Sequence, residues 1–431
     1  MQRIALISEH ASPLAAPGGV DSGGQNVYVA HVSRELSKLG YLIDIYTRRD
    51  QPGLHEVVDW QPGVRIIHVP AGPASALRKE AMLPHMRAFA IYVSSFIHRH
   101  QLRYQLVHAN FFMSGMVALQ LKLILGLPFV ITFHALGRVR RQYQGDADGF
   151  PDERFEIEQV LMQEAACVIA ECEQDLHDMA SLYGARHGNM AIVPCGFDPD
   201  EFMPLRDGAR ARLGLPVSAF VVLQLGRMVP RKGVDNVIRA LSVLRDRHAI
   251  EAKLLIVGGD KLADLSSSPE MQRLMEIAHS LGLSSTISFT GAQPRPVLRE
   301  FYSAADVFVT TPWYEPFGIT PLEAMACATP VIGSDVGGIR STVVCGETGY
   351  LVPPKDPQAL AARLAMLHDA PALARRMGWN GLRRAHRHFT WRRVALQLAE
   401  VYESVIHNSA QAVLTGLGQP DAVGEDTGVA Q

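Results

Sequence analysis

Residues 315–335 read EPFGITPLEAMACATPVIGSD. The spacing predicts a loop, a helix and a strand. Residues 306–311 (DVFVTT) come just before, with the β-branched, apolar character of a buried strand. Glu315 is therefore expected just past the carboxyl end of a strand, where open α/β sheets bind ligands. Thr320 can cap the helix and Pro321 suits its first turn. Gly318 and Ile319 then offer backbone N–H groups at the positive end of the helix dipole, a site suited to phosphate. Glu323 falls in the first helical turn. Read plainly, Thr320 to Glu323 is a capping box, in which Glu323 only satisfies a backbone donor.

Working outward, a second α/β series surrounds this stretch. Strands are expected at 220–225, 253–257, 286–290, 331–334 and 350–352. The first runs into Gly226-Arg227-Met-Val-Pro-Arg-Lys232-Gly233. Arg227 and Lys232 bracket a loop that opens a helix, and two cations there can hold a diphosphate and stabilise its charge as it leaves. Two exposed basic residues in a turn are the plainer alternative. Upstream, residues 194–216 have the Pro/Gly/Asp texture of a linker. A first α/β series precedes it, with strands at 3–8, 42–46, 64–69, 105–108, 129–133, 167–170 and 190–193. Strand 3–8 opens into HASPLAAPGGVDSGGQN (10–26), where Gly18, Gly19, Gly23 and Gly24 let the backbone press on a ligand before a helix at 27–39. The loop is not GxGxxG, and no acidic residue serves a ribose about twenty residues on, which argues against a dehydrogenase. His134 ends the strand FVITF, where a cleft-facing histidine can hydrogen-bond a sugar hydroxyl or move a proton, a structural histidine being the plainer alternative.

The 431 residues suffice for two or three domains. With 48% hydrophobic residues, 19% charged residues and a formal charge of −2, no global basic excess argues for nucleic acid. MQRIALIS is too short for a signal peptide. The run GMVALQLKLILGLPFVI is broken by Lys122, Gly126 and Pro128, which predicts helix, turn and strand rather than a membrane span. The five cysteines form no CxxC pair, consistent with packing roles and a reducing cytoplasm. A helix expected over 76–103 carries Arg78, Lys79, Arg87, Arg99 and Arg103. That is ordinarily a solvated face, with a membrane or anionic-acceptor surface as the alternative. Residues 389–406 form an amphipathic helix, and the chain beyond is expected to be a disordered tail.

Taken jointly, GRMVPRKG, EPFGITPLEA and ATPVIGSDVGGIRSTVVCGETGYLVPP resemble the retaining, nucleotide-sugar-dependent glycosyltransferases of family 4. DSGGQNVYV, IYTRR, RKEAMLPHM and FHALGRVRRQ are similar to the sucrose-phosphate synthase and mycothiol-pathway branch. The resemblance covers nearly the whole chain. It implies the α/β GT-B fold: two Rossmann-like, doubly wound parallel-sheet domains facing a cleft. Residues 1–206 would bind acceptor, 207–388 would bind nucleotide sugar, 389–406 would cross back to the first domain, and 407–431 would form the tail.

Carried across, Glu315 would contact the donor sugar's hydroxyls and Glu323 the ribose. Arg227 and Lys232 would bind the diphosphate, joined by the Gly318 and Ile319 amides and the Gly24 backbone. His134 would touch the sugar or acceptor, and Lys79 and Arg154 an acceptor phosphate. Relatives place a tyrosine at Phe111 and a hydroxyl residue at Ala135, and both changes remove hydrogen-bonding capacity for a phosphate. The branch points to hexosyl transfer from UDP-glucose to a small sugar, sugar-phosphate or polyol-phosphate acceptor, the nucleotide sugar being co-substrate, with no cofactor. No DxD-type metal motif stands out at the proposed site, so no metal is expected. The alternatives are transfer to a lipid or polysaccharide acceptor at a membrane, a nucleotide-sugar epimerase, and a non-catalytic sugar-nucleotide binding protein.

Overall fold

The computed structural model describes residues 1–14, 23–205, 208–259 and 268–416. Gly18 and Gly19 of the glycine loop and residues 417–431 lie outside the described residues. The first sheet comprises β1 (Arg3–Ile7), β2 (Leu42–Arg48), β3 (Val57–Gln61), β4 (Val64–Val69), β5 (Leu106–Asn110), β6 (Phe129–Thr132), β7 (Cys167–Ala170) and β8 (Met190–Ile192). Its order is β3-β4-β2-β1-β5-β6-β7-β8, parallel except for β3. The sequence reading missed β3. VVDWQ sits half-exposed at the sheet edge and lacks the buried run that marks the other strands.

The second sheet comprises β9 (Phe220–Leu225), β10 (Ala252–Val257), β11 (Ile287–Gly291), β12 (Val307–Thr310), β13 (Val331–Ser334) and β14 (Gly349–Val352). It is wholly parallel in the order β11-β10-β9-β12-β13-β14. The expected architecture of two doubly wound parallel sheets holds. In each sheet the strand order reverses beside the first strand, β1 against β5 and β9 against β12. Ligands bind at the carboxyl ends of such switch points.

The chain passes between the two sheets twice, side by side. Phe197 N donates to Phe389 O at 2.8 Å, and Trp391 N donates back to Phe197 O at 3.2 Å. A Cβ on Gly196 would lie 2.8 Å from Trp391 N, so only glycine lets the strands of the crossing touch. The last helix, Trp391–Gly416, runs ten residues past its expected end at 406. It buries Trp391, Val394, Leu398, Tyr402 and Val405 in a core shared with Tyr28, Val32 and Leu36 of the helix Gly24–Lys38. Tyr402 OH lies 2.6 Å from His108 Nδ1 beneath the first sheet, and Tyr41 OH donates to Glu403 at 2.9 Å.

The helix expected over 76–103 is instead two short 3-10 turns followed by a helix at Met86–Arg99. Its cations disperse: Arg99 pairs with Glu56, Arg78 leans on Glu80 and Lys79 turns toward the interior. No helix among the described residues is long and apolar enough to cross a membrane.

Candidate active site

A cavity of about 520 Å³ opens between the carboxyl ends of the two sheets. Pockets that take small-molecule ligands fall in that size range. The second sheet's side is built by two loops. After β9, residues 226–233 carry Arg227, Arg231 and Lys232. After β12, residues 311–318 carry Glu315. The loops are locked together. A Cβ on Gly233, whose φ is +65°, would lie 2.1 Å from Thr311 O, while Thr311 Oγ1 donates to Gly233 O at 2.9 Å. Trp313 N donates to Arg231 O at 2.9 Å. The glycine pair after β13 clamps the same loop: a Cβ on Gly337 would fall 1.9 Å from Glu315 O, and one on Gly338 2.2 Å from Phe317 Cα.

Lys232 Nζ pairs directly with the Glu315 carboxylate, and Arg231 Nη1 stands 3.9 Å from it. Burial alone would raise the Glu315 pKa, but Lys232 and Arg231 outweigh it and hold the carboxyl below its ordinary value. Burial and the neighbouring Arg231 and Arg227 pull Lys232 down, with Glu315 opposing them. The cavity wall thus concentrates positive charge beside a carboxylate that stays ionised. Arg231 went unremarked in the sequence reading. It lies in the PRKG run next to Lys232, and its guanidinium stacks on the Tyr314 ring at 5.1 Å.

The helix after Glu315 spans Ile319–Ala326 and starts from Gly318 at φ +90°. Thr320 therefore lies inside the helix, where the sequence had suggested a cap. Glycine's freedom at positive φ lets the helix begin earlier. Glu323 makes no capping box. It is 2% exposed, and its carboxylate takes Arg295 Nη1 at 3.0 Å and Tyr302 OH at 2.9 Å. Arg295 also bonds Glu201 at 2.5 Å.

Across the cavity the helix Gly24–Lys38 begins, and a Cβ on Gly24 would lie 3.7 Å from Ile319 Cδ1. Two helix N-termini therefore face the same space, each with unsatisfied N–H groups. His134, at φ +57°, holds Glu171 Oε1 2.9 Å from Nδ1 and Asn110 Oδ1 3.0 Å from Nε2, with the Tyr28 ring edge-on at 4.8 Å. Glu171 and Asn110 also went unremarked. Each ends or follows a strand of the first sheet, and strand-end position was the available signal.

Nine of the ten sequence-selected residues line this one cavity: Gly24, Lys79 and His134 on one side, Arg227, Lys232, Glu315, Gly318, Ile319 and Glu323 on the other. Arg154 does not. It is fully buried behind Phe111, its guanidinium 4.9 Å from that ring and 4.7 Å from those of Phe112 and Phe150. Nε bonds Glu158 at 2.7 Å and Nη2 bonds Ala135 O at 2.5 Å. Among the described residues, the side chains near enough to share a metal ion are His31, Asp198 and Glu201. Arg34 and Arg295 already compensate those carboxylates, and burial pushes His31 down to about 3.

Comparison with known proteins agrees with this geometry. Residues 206–384 match the model of the glycosyl transferases group 1, and residues 22–201 that of glycosyltransferase family 4. The chain is 35% identical over 412 residues to a D-inositol 3-phosphate glycosyltransferase of Corynebacterium glutamicum, covering 94% of this chain and 97% of the relative. The sucrose-phosphate synthase structure from Thermosynechococcus elongatus superimposes with a TM-score of 0.87 at 34% identity, over 95% of this chain and all of that one. An Anabaena HepE structure in complex with UDP shares the fold, with a TM-score of 0.72 at 20% identity over 94% of this chain and all of that one. The chain belongs to the family 4, group 1 retaining glycosyltransferases of the GT-B fold.

Proposed function

We propose that this glycosyltransferase moves a hexosyl group, with glucose from UDP-glucose as the first candidate, to a small sugar-phosphate or polyol-phosphate acceptor. The observation that carries this reading is the meeting of Arg227, Arg231, Lys232 and two helix N-termini around one cavity that also holds Glu315 and His134. Residues 207–388 bind the nucleotide sugar and residues 1–206 the acceptor. The relatives' names, an inositol-phosphate transferase and a sucrose-phosphate synthase, support a phosphorylated small acceptor.

The diphosphate lies against Arg227, Lys232 and the amides of Gly318, Ile319 and Gly24. These groups stabilise the charge that develops as the glycosidic bond lengthens. Glu323 meets the ribose hydroxyls. Glu315 orients the sugar. Its ion pair with Lys232 and lowered pKa keep it ionised, as electrostatic support of an oxocarbenium-like state requires. The acceptor then enters on the face the leaving group departs from, and a departing phosphate oxygen takes its proton. His134, braced by Glu171, contacts the sugar or acceptor near the new bond. Lys79 faces the acceptor's phosphate.

The test is nucleotide release from UDP-glucose with and without inositol 3-phosphate or fructose 6-phosphate, in EDTA. Acceptor-dependent release without metal is expected, because the cations of the 226–233 loop supply the charge a metal would. Loss of turnover in EDTA that magnesium restores would overturn the metal-independent part. Conversion of the donor alone would identify an epimerase instead.

A further inference from the structure

Residues 370–399 contain seven arginines and no aspartate or glutamate, in a chain whose formal charge is −2. Most of this segment is the helix Pro371–His388. Its inner face is made of Ala374, Met377, Gly378, Gly381 and Ala385, small except for the methionine. A Cβ on Gly378 would lie 1.9 Å from Ala328 O, and one on Gly381 3.2 Å from Met325 Cγ. The helix is thereby pinned on the Ile319–Ala326 helix that carries Glu323, and its outer face has a fixed direction. That face presents Ala372, Arg376, Trp379, Arg383 and Arg387 at steps of four, three, four and four residues, all exposed. Arg375 and His386 flank the stripe, and Arg392 and Arg393 extend it into the next helix.

Among the described residues no carboxylate pairs with Arg375, Arg376, Arg383, Arg387, Arg392 or Arg393. The helix holds no acidic residue that could form the usual i,i+4 ion pair. Only Arg384 is turned inward, onto the carbonyls of Ser341 and Thr342. The stripe is about 22 Å long from Ala372 to Arg387 at the helical rise. Trp379, 51% exposed, stands at its middle.

We propose that this face docks the enzyme on an anionic lipid membrane. A row of arginines with no carboxylate partner among the described residues, Arg383 bonding only the neutral Asn380 amide, matches a planar anionic surface, each cation adding attraction to such lipids. An indole among them is the side chain that settles at headgroup level, with an apolar ring and a polar N–H. Nothing of the stripe enters the catalytic cavity, so membrane docking leaves the cleft free and sets the second domain as the anchored half.

The full chain is mixed with vesicles of phosphatidylcholine alone, or of equal parts phosphatidylcholine and phosphatidylglycerol, and sedimented. Binding to the anionic vesicles is expected to exceed binding to neutral ones at least about tenfold and to fall as salt is raised. The variant with Arg375, Arg376, Arg383 and Arg387 all changed to Gln should bind about a hundredfold more weakly or worse, with nucleotide release on a soluble acceptor unchanged. Tryptophan emission should shift to the blue on vesicle addition in wild type and not in Trp379→Phe. Equal binding to neutral vesicles, no binding at low salt, or a quadruple variant that binds like wild type would overturn the proposal. So would duplex DNA that displaces the protein from vesicles at equal phosphate, which would reassign the face to nucleic acid.

Discussion

Lys232 and Glu315 are each other's nearest opposite charge, so their roles can be separated by substitution. Lys232→Ala should lower turnover by about two to three orders of magnitude, the scale of losing one donor to a developing charge. Turnover near wild type in a steady-state assay would remove Lys232 from the mechanism. Glu315→Gln should keep nucleotide affinity, measured by calorimetry, and lose transfer. An active variant would sink the assignment of the sugar-orienting role to Glu315. The pH dependence has a defined sign. The folded pKa of Glu315 is depressed below its unfolded value of about 4.3. Its ion pair therefore stabilises the fold above that pH, and the contribution is lost as pH falls through the folded value. The stability difference between wild type and Glu315→Gln, from denaturant titrations, should be constant near neutrality and shrink in acid below about pH 4. A difference that grows in acid would contradict the lowered pKa. At this scale much of the cavity was legible. Charged and glycine residues at strand ends are recognisable types in recognisable places. Arg154 shows the limit. The family resemblance implied a phosphate ligand there, whereas Glu158 and three phenylalanine rings hold Arg154 in the interior.

At the scale of elements, the cavity depends on loops whose backbones touch without intervening side chains. Gly233→Ala places a Cβ 2.1 Å from the Thr311 carbonyl, a contact only backbone movement relieves. It should cost about 1–3 kcal/mol in chemical denaturation and raise the donor KM several-fold, because the 226–233 and 311–318 loops shift together. Stability and KM both at wild-type values would show that the loops are not coupled. Gly337 makes the equivalent contact on Glu315 O. Sequence periodicity found most of the buried parallel strands and erred where local signals compete. The edge strand β3 has no apolar run, and the helix Ile319–Ala326 starts at a positive-φ glycine before the threonine that looked like its cap.

At the scale of the molecule, the two sheets are joined by the paired crossing at Phe197 and Phe389–Trp391. Trp391 stacks on His31 at 5.3 Å and sits edge-on to Tyr28 at 5.8 Å, with 2% of its surface exposed. Trp391→Ala should destabilise the fold by about 3–5 kcal/mol. It should also loosen the second crossing, seen as separate unfolding steps of the two halves by calorimetry. A single unshifted transition would show that the crossing contributes little. Across the cleft, Gln144 Nε2 donates to Tyr314 OH at 2.5 Å, and Cys172 Sγ lies 3.4 Å from Pro316 O. The Tyr314–Phe317 loop beside Glu315 therefore touches both halves.

What the sequence by itself determined is the class of architecture and the identity of nine residues at the cavity. Buried parallel strands, glycine loops and helix starts are local patterns, and their order along the chain implies switch points whose strand ends must face a cleft. Tertiary structure alone decided which charges meet. Lys232 closes on Glu315 and Glu323 on Arg295, while Arg154 is sealed behind Phe111. It also decided that Arg376, Arg383 and Arg387 line one outward face of Pro371–His388 while Arg384 turns inward. The physical reason is that a charge's partner and burial depend on residues tens to hundreds of positions away. No local window of sequence contains those distances.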